Sequence, residues 1–443
     1  MANLLKRRSV WSTNVITPLQ RGNDNNGNQN CRNLFRPLLV SMAVIGLCHG
    51  NVVWGSSTHG KLTNVGRFIN KIYSICVLLL LWILAIKAFS SYSSEDTFGP
   101  ALLLKIGSHM WQLLCALCTS ICYRMCSNEG RVAKCVEDIV YQNEISSDCQ
   151  VNIKSLAKIV KTCTAFAWLT VLLPMIGNVY SVNEYTLNTV LSPLEFDYND
   201  TNSRLSATML ASFFSLYQIA CYNFPGFLVC IISIALYRLF GSIASKVGNR
   251  ETSRDVFASN KEDEGDDLEC IRQQHQRLCR LVSDADEIFS AYNASVLLFM
   301  SGITLLLLYQ LISNSEMFSD TSNRVLLLMW IAGGLIKIAV ISIGGAFLSS
   351  KAHEPLKTIH DIDLTDISNE KATQARMFLH KLAGPTIGLT VLKLFTIDMK
   401  MISSLVGMFM TYFIILVQFQ QSATQTMARA NNTCNCSSLI SGR

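Results

Sequence analysis

Charge is what this chain has least of. Asp, Glu, Lys and Arg make up 15% of its 443 residues and hydrophobic residues 50%, where a soluble domain carries about 25% charged residues. The charge that exists gathers in short polar segments between apolar stretches of 18 residues or more. This excludes a soluble enzyme and a largely disordered chain, because such stretches are what helices need to cross about 30 Å of hydrocarbon. Two other things are missing. The first 36 residues are basic and polar (Lys6-Arg7-Arg8, then Arg21) with no apolar core before a cleavage site; they read as a cytosolic, partly disordered tail, and no cleavable secretory signal is expected. No internal repeat with paired broken helices is visible, which argues against a secondary transporter.

What is present reads as an all-α polytopic membrane protein. Seven spans are expected: Phe68–Phe89, Phe98–Met125, Ile159–Val182, Leu205–Phe240, Phe289–Ile312, Val325–Leu348 and Met401–Phe419. The fourth would be about 54 Å long if straight, so it either bends at Pro225-Gly226 or projects beyond the bilayer. Pro174 is a further kink candidate in the third. An eighth stretch, Pro37–Trp54, contains His49, Gly50 and Asn51 and reads as interfacial or re-entrant, with a full span as the lesser alternative.

Orientation follows from the connections. Residues 1–66, 126–156, 242–288 and 349–394 hold 23 Lys and Arg; residues 91–97, 183–204, 313–323 and 420–443 hold 3. The positive-inside rule puts the N-terminus in the cytosol and the C-terminus outside. The acceptors Asn199-Asp-Thr201, Asn431-Asn-Thr433 and Asn435-Cys-Ser437 fall on the outside, while Asn293-Ala-Ser295, at a membrane boundary, reads as a chance match. The net charge of +6 therefore reports topology and does not point to nucleic acid.

The chain divides into a cytosolic tail with the re-entrant segment (1–66), helices 1–4 (67–241), a cytosolic linker and amphipathic helix (242–288), helices 5–6 (289–348), cytosolic anchor helices (349–400), the last span (401–420) and an extracellular tail (421–443). Most of the 16 cysteines read as small packing groups, including Cys115-x-x-Cys118 inside the second span; Cys434 and Cys436 lie outside, where disulfides persist. Lys261–Asp267 reads as a solvated turn. Leu268, Ile271, His275, Leu278, Val282, Ala285 and Phe289 then recur at helical spacing into the fifth span. Such a stripe needs a partner surface, and a second helix is expected from Asn369 to Leu382 before Gly384-Pro385. Association between subunits is the favoured use of these two extensions, with a role inside one subunit as the alternative. His275 reads as a tolerated polar position in its stripe.

The last span holds the most specific pattern. Thr411-Tyr412, five apolar residues and Gln418-Phe419 resemble the TYhhhhhQF motif of insect gustatory receptors, and Phe395-Thr-Ile-Asp398 resembles that family's approach to its last helix. The resemblance implies a ligand-gated, non-selective cation channel, a homo- or heterotetramer in the plasma membrane of chemosensory neurons. The last helices would ring a central pore, each subunit's bundle would bind a small tastant (a sugar, a bitter compound or other), and cytosolic helices would join the subunits. It implies no enzyme activity and no cofactor.

The residues themselves leave two readings of the motif open. Gln418 either faces the pore or hydrogen-bonds a neighbouring helix, and Phe419 is either a hydrophobic constriction or packing; the resemblance favours the gate. Thr411, Ile414 or Ile415, and Gln418 share one stripe as pore lining, while Tyr412 is expected against a neighbouring helix. Ligand candidates in the outer halves of the spans are His109, Trp111, Asn178, Tyr180, Tyr217, Gln218, Tyr222, Tyr309, Gln310 and Trp330, each of which could equally belong to an interfacial belt or an interhelical contact. Lys337, in the middle of the sixth span, either faces a wet cavity or snorkels to the cytosolic edge. A G-protein-coupled receptor is the obvious seven-helix alternative, and the cytosolic N-terminus opposes it.

Overall fold

The computed structural model describes residues 25–49, 61–90, 92, 100–127, 131–145, 153–181, 201–251, 265–313, 321–356, 369–384 and 386–440. These residues form α1 (Asn25–Val44), α2 (Lys61–Phe89), α3 (Pro100–Ser127), α4 (Arg131–Ile145), α5 (Ile153–Ser181), α6 (Thr201–Glu251), α7 (Gly265–Ile312), α8 (Thr321–His353), α9 (Asn369–Leu382), the two-residue strands β1 (Thr390–Val391) and β2 (Phe395–Thr396), and α10 (Met399–Ile440). Seven stretches are long and apolar enough to cross a membrane: Val65–Phe89, Leu102–Ser127, Lys154–Ile176, Asn202–Val247, Glu269–Ile312, Arg324–His353 and Met399–Phe419. Each coincides with a span expected from the sequence. Their outward faces carry exposed apolar side chains such as Phe68, Ile83, Leu169, Met209, Ile336 and Phe347, the surface that hydrocarbon requires.

α6 has 51 residues and α7 has 48, about 76 and 72 Å of helix, where a whole bilayer with headgroups is about 40–45 Å. Both must project. α6 runs through Pro225 to Glu251 without ending, so projection answers the question posed by its length.

α1 differs from its expectation. It begins at Asn25, inside the segment expected to be a partly disordered tail. Its apolar part, Leu34–Val44, is shorter than any span. It ends in two reverse hydrogen bonds, Leu47 N–H to Met42 O (2.8 Å) and Gly46 N–H to Ala43 O (3.0 Å), with Gly46 at φ 80°. This is the closure that left-handed glycine permits after a helix. A side chain there would also meet Val77 of α2, whose Cγ2 would lie 2.9 Å from the added Cβ. Phe35, Leu38, Leu39 and Met42 are buried, and Trp168 Nε1 of α5 donates to Ser41 Oγ at 3.0 Å. The helix is thus a core element of the bundle, which its low hydrophobicity hides in the sequence. Residues 50–54 of the eighth stretch lie outside the described residues.

The amphipathic stripe is as regular as its spacing predicts, and α7 carries it unbroken into the membrane. Its partner, however, is the chain itself. Ile271, His275, Leu278, Val282, Ala285 and Phe289 are buried within this subunit. His275 Nε2–H donates to Ala352 O of α8 at 2.9 Å, and its ring packs 5.3 Å from Phe240 of α6 and 5.2 Å from Phe378 of α9. Three elements of its own chain cover this face, which is a role inside one subunit. His275 is a hydrogen-bonded core residue, and Asn293 of the chance sequon is fully buried in α7. Most of the described cysteines are buried or half-buried, with Cys76 and Cys270 exposed; in α4, burial together with Asp284 and Asp138 pushes the Cys135 thiol up to about 12.

Candidate functional site

The last helix stands apart from the bundle. Within its apolar window, Met399–Phe419, 0% of residues are buried, against 22–56% in the other six. Met401, Leu405 and Phe409, four residues apart, rest on the core as partly buried contacts, so one stripe of the first turns docks on the subunit. At 100° per residue, Thr411, Ile415 and Gln418 fall within about 60° of one another on a different face, with Phe419 beside them. Thr411, Ile414, Ile415, Gln418 and Phe419 are all exposed in the single subunit, Phe419 at 67%. Tyr412, expected against a neighbouring helix, is half exposed in the single subunit. An exposed apolar span of this kind presents its surface to lipid or to another chain. The helix also does not stop at Phe419: its described backbone continues to Ile440.

Three devices moor this helix. Asp398 caps it, its Oδ1 accepting Met401 N–H at 2.8 Å. Ile397, fully buried, presses on Gly345 of α8, where an added Cβ would lie 2.7 Å from Ile397 Cγ2. Before it, β1 and β2 form a hairpin whose turn holds Leu392 and Lys393 at φ 49° and 60°, conformations that cost a non-glycine residue roughly 1–2 kcal/mol each. Asp286 of α7 holds that turn: its carboxylate accepts from Thr390 N (2.5 Å) and Thr390 Oγ1 (2.8 Å) and pairs with Lys393. His353 ties α8 to the same connection, accepting Ile387 N–H on Nε2 (3.0 Å) and donating from Nδ1 to Leu382 O (3.0 Å). The segment resembling the family's approach to its last helix, Phe395–Asp398, follows directly on this strained, clamped turn and supplies the Ile397 contact and the Asp398 cap.

Of the ligand candidates, four come together. Trp111 of α3 lies edge-on to Tyr222 of α6 (5.4 Å) and to Trp330 of α8 (5.5 Å), and its Nε1–H donates to Gln218 Oε1 at 3.3 Å. Below them sits Lys337. It does not snorkel: it is 8% exposed, and Nζ donates to Asn223 O (3.2 Å) and Oδ1 (3.1 Å). Tyr292 of α7 donates to Tyr222 O at 2.8 Å, fixing that turn of α6. Asn223 and Tyr292 were not candidates from the sequence; a polar neighbour of Tyr222 in an apolar run was the available signal.

The other candidates lie apart. Tyr217 bonds Tyr73 of α2 at 2.7 Å and stacks edge-on to Phe213 (4.9 Å). His109 packs against Phe89 and Tyr92 with ring centroids 3.8 and 5.8 Å away, its buried Nε2 without a partner among the described residues. Tyr309 and Gln310 offer their carbonyls to Ser313 at the end of α7. The side chains of Asn178, Tyr180, Asn431, Asn435, Cys434 and Cys436 lie outside the described residues, as does Asn199. No group of three or more His, Cys, Asp or Glu that could hold a metal occurs among the described residues.

This arrangement has relatives. The family described as 7tm chemosensory receptor matches residues 35–423. No curated protein matches the chain. Among solved structures, the insect olfactory receptor OR5 from Machilis hrabei in complex with eugenol is similar at TM-score 0.66 and 16% identity, over 89% of this chain and 100% of that one. A second structure of the same receptor gives TM-score 0.63 and 15% identity over the same shares.

Proposed function

Because the chain belongs to the 7tm chemosensory receptor family, we propose that it is a gustatory receptor acting as a ligand-gated, non-selective cation channel. The observation that carries this reading is α10: a span with 0% of its residues buried in one subunit, bearing Thr411-Tyr412 and Gln418-Phe419. Four such helices around an axis would supply one another's packing and line a pore with Thr411, Ile415, Gln418 and Phe419. A small tastant bound among Trp111, Gln218, Tyr222 and Trp330 would act on the pore through α7, α8 and the clamped hairpin. OR5 is described in complex with eugenol, a small organic molecule, which suits a site of this kind.

The orientation has the N-terminus in the cytosol and the C-terminus outside, with Asn199, Asn431 and Asn435 available for glycosylation at the plasma membrane of a chemosensory neuron. The partners are a tastant, cations, lipids and further gustatory receptor subunits, identical or not. The test is whole-cell recording from cells expressing this chain and lacking G-protein signalling, while a tastant panel is applied. Ligand-evoked cation current is expected; substrate uptake without current would make it a transporter. Antibody labelling of tagged termini on intact cells should reach only the C-terminal tag.

A further inference from the structure

We propose that the aromatic cluster is a site for a small aryl-alkyl carboxylate, and that Lys337 is the group that selects it. The use of the site rests on the receptor reading above; its chemistry does not.

Lys337 lies midway along an apolar span and is almost wholly buried. Its Nζ contacts are the two Asn223 oxygens and the faces of Tyr222 and Phe227, 4.8 and 5.0 Å from the ring centroids. Among the described residues none of its partners is an anion. Burying an ammonium costs several kcal/mol unless a counter-charge answers it. Two electron-rich rings recover part of that cost in a desolvated place, and a lysine with a free path would carry its charge to the interface. This one is held in place.

The place is also shaped for the charge. At Gly226, one turn beyond Tyr222, an added Cβ would lie 2.6 Å from Lys337 Nζ and 2.7 Å from Tyr292 Oη, so glycine there leaves room for the ammonium. An ammonium has three donors. Asn223 takes two, which leaves one N–H for one further oxygen. A neutral acceptor could take that bond, but only a carboxylate also answers the charge, where low dielectric magnifies the attraction.

The site's dimension narrows the ligand. Trp330 and Lys337 are seven residues apart on α8, hence on one face and about 10 Å apart along it. Tyr222 bridges the interval, contacting Lys337 through its ring face and Trp111 at its edge. Edge-on indoles suit a flat apolar ring. A ring against Trp111 and Trp330, joined by a short chain to a carboxylate at Lys337, matches that spacing.

The experiment uses the purified full-length receptor, with 3-phenylpropanoate and the isosteric 3-phenylpropanamide as probes. Binding is read from ligand-dependent thermal stability for wild type, Lys337→Met and Gly226→Ala, each first checked for the wild-type size-exclusion profile. The acid should bind wild type at least tenfold more tightly than the amide. Lys337→Met should abolish that preference by weakening the acid and sparing the amide, and Gly226→Ala, which displaces the ammonium, should do the same if Lys337→Met does not fold. Equal binding of acid and amide to wild type, no binding of either, or full retention of the preference in a folded variant overturns the proposal. Current recordings separate the two readings: Lys337-dependent acid binding without current sustains this inference and removes the channel, whereas evoked currents indifferent to acid or amide keep the channel and remove this inference.

Discussion

Asp286 of α7 accepts both the backbone N–H and the hydroxyl of Thr390, eight residues before Asp398 caps the last helix. The same carboxylate pairs with Lys393 in a turn where two consecutive non-glycine residues adopt positive φ. One buried acid thus binds the helix carrying the amphipathic stripe to the link entering the proposed pore. Replacing Asp286 by Ala would leave the turn strained and Lys393 without its counter-charge. The Lys393 side chain is 36% exposed, so water softens the loss of the ion pair; the cost rests on the stranded Thr390 donors, about 1–3 kcal/mol. Asp286→Ala should therefore lower the melting temperature of the purified receptor and reduce ligand-evoked current at equal surface expression. An unchanged melting temperature would show that the turn does not depend on this clamp.

None of that clamp was legible in the sequence, because Asp286 and Thr390 are 104 residues apart and neither stands out from local periodicity. The spans were legible, since each is a property of its own stretch. The stripe from Ile271 to Phe289 was legible as a buried face, but periodicity names no partner, and the choice between another subunit and the chain itself needed tertiary structure. Neighbouring candidates were divided for a local reason. Tyr217 and Gln218 differ by 100° around α6, which sends one to Tyr73 of α2 and the other to Trp111 of α3. α10 passes Phe419 because the Gln, Ala, Met and Arg residues beyond it are good helix formers without making an apolar run, and hydropathy marks only where a span ends.

A second prediction concerns Gly345 and Ile397. Gly345→Ala would force a Cβ to within 2.7 Å of Ile397 Cγ2 and push the start of α10 away from α8. Overpacking of this kind costs about 1–3 kcal/mol. Shortening its neighbour relieves it, so Ile397→Ala should be less harmful in the Gly345→Ala background than alone. A double-mutant cycle on thermal stability should give a coupling of at least about 0.5 kcal/mol; strict additivity would mean the two do not press on each other.

The split among ligand candidates gives a third. Trp111 touches Gln218, Tyr222 and Trp330 together, whereas His109, two residues earlier, packs on Phe89 and Tyr92. Trp111→Ala should raise the half-maximal concentration of an activating ligand at least tenfold, about 1.4 kcal/mol. His109→Ala should change it less than threefold. Dose–response curves from calcium imaging decide the matter, and equal shifts for both variants would dissolve the cluster as the site.

The fourth concerns the gate. Phe419 is 67% exposed in the subunit and adjoins the face of Thr411, Ile415 and Gln418. If that face lines a pore, the phenyl ring is an apolar constriction that excludes water and ions until it rotates away. Phe419→Ala would widen and wet it, so patch-clamp recording should find current without ligand. Gln418→Ala removes an amide that hydrocarbon would penalise and water would not; it should shift ligand sensitivity or open-channel current while leaving the receptor's size-exclusion profile intact. If Gln418 instead bonded a neighbouring helix, its loss would lower stability and spare the current. If Phe419 were packing alone, its truncation would weaken assembly without a leak. Unchanged currents from both variants at normal assembly would remove the gate from this face of α10.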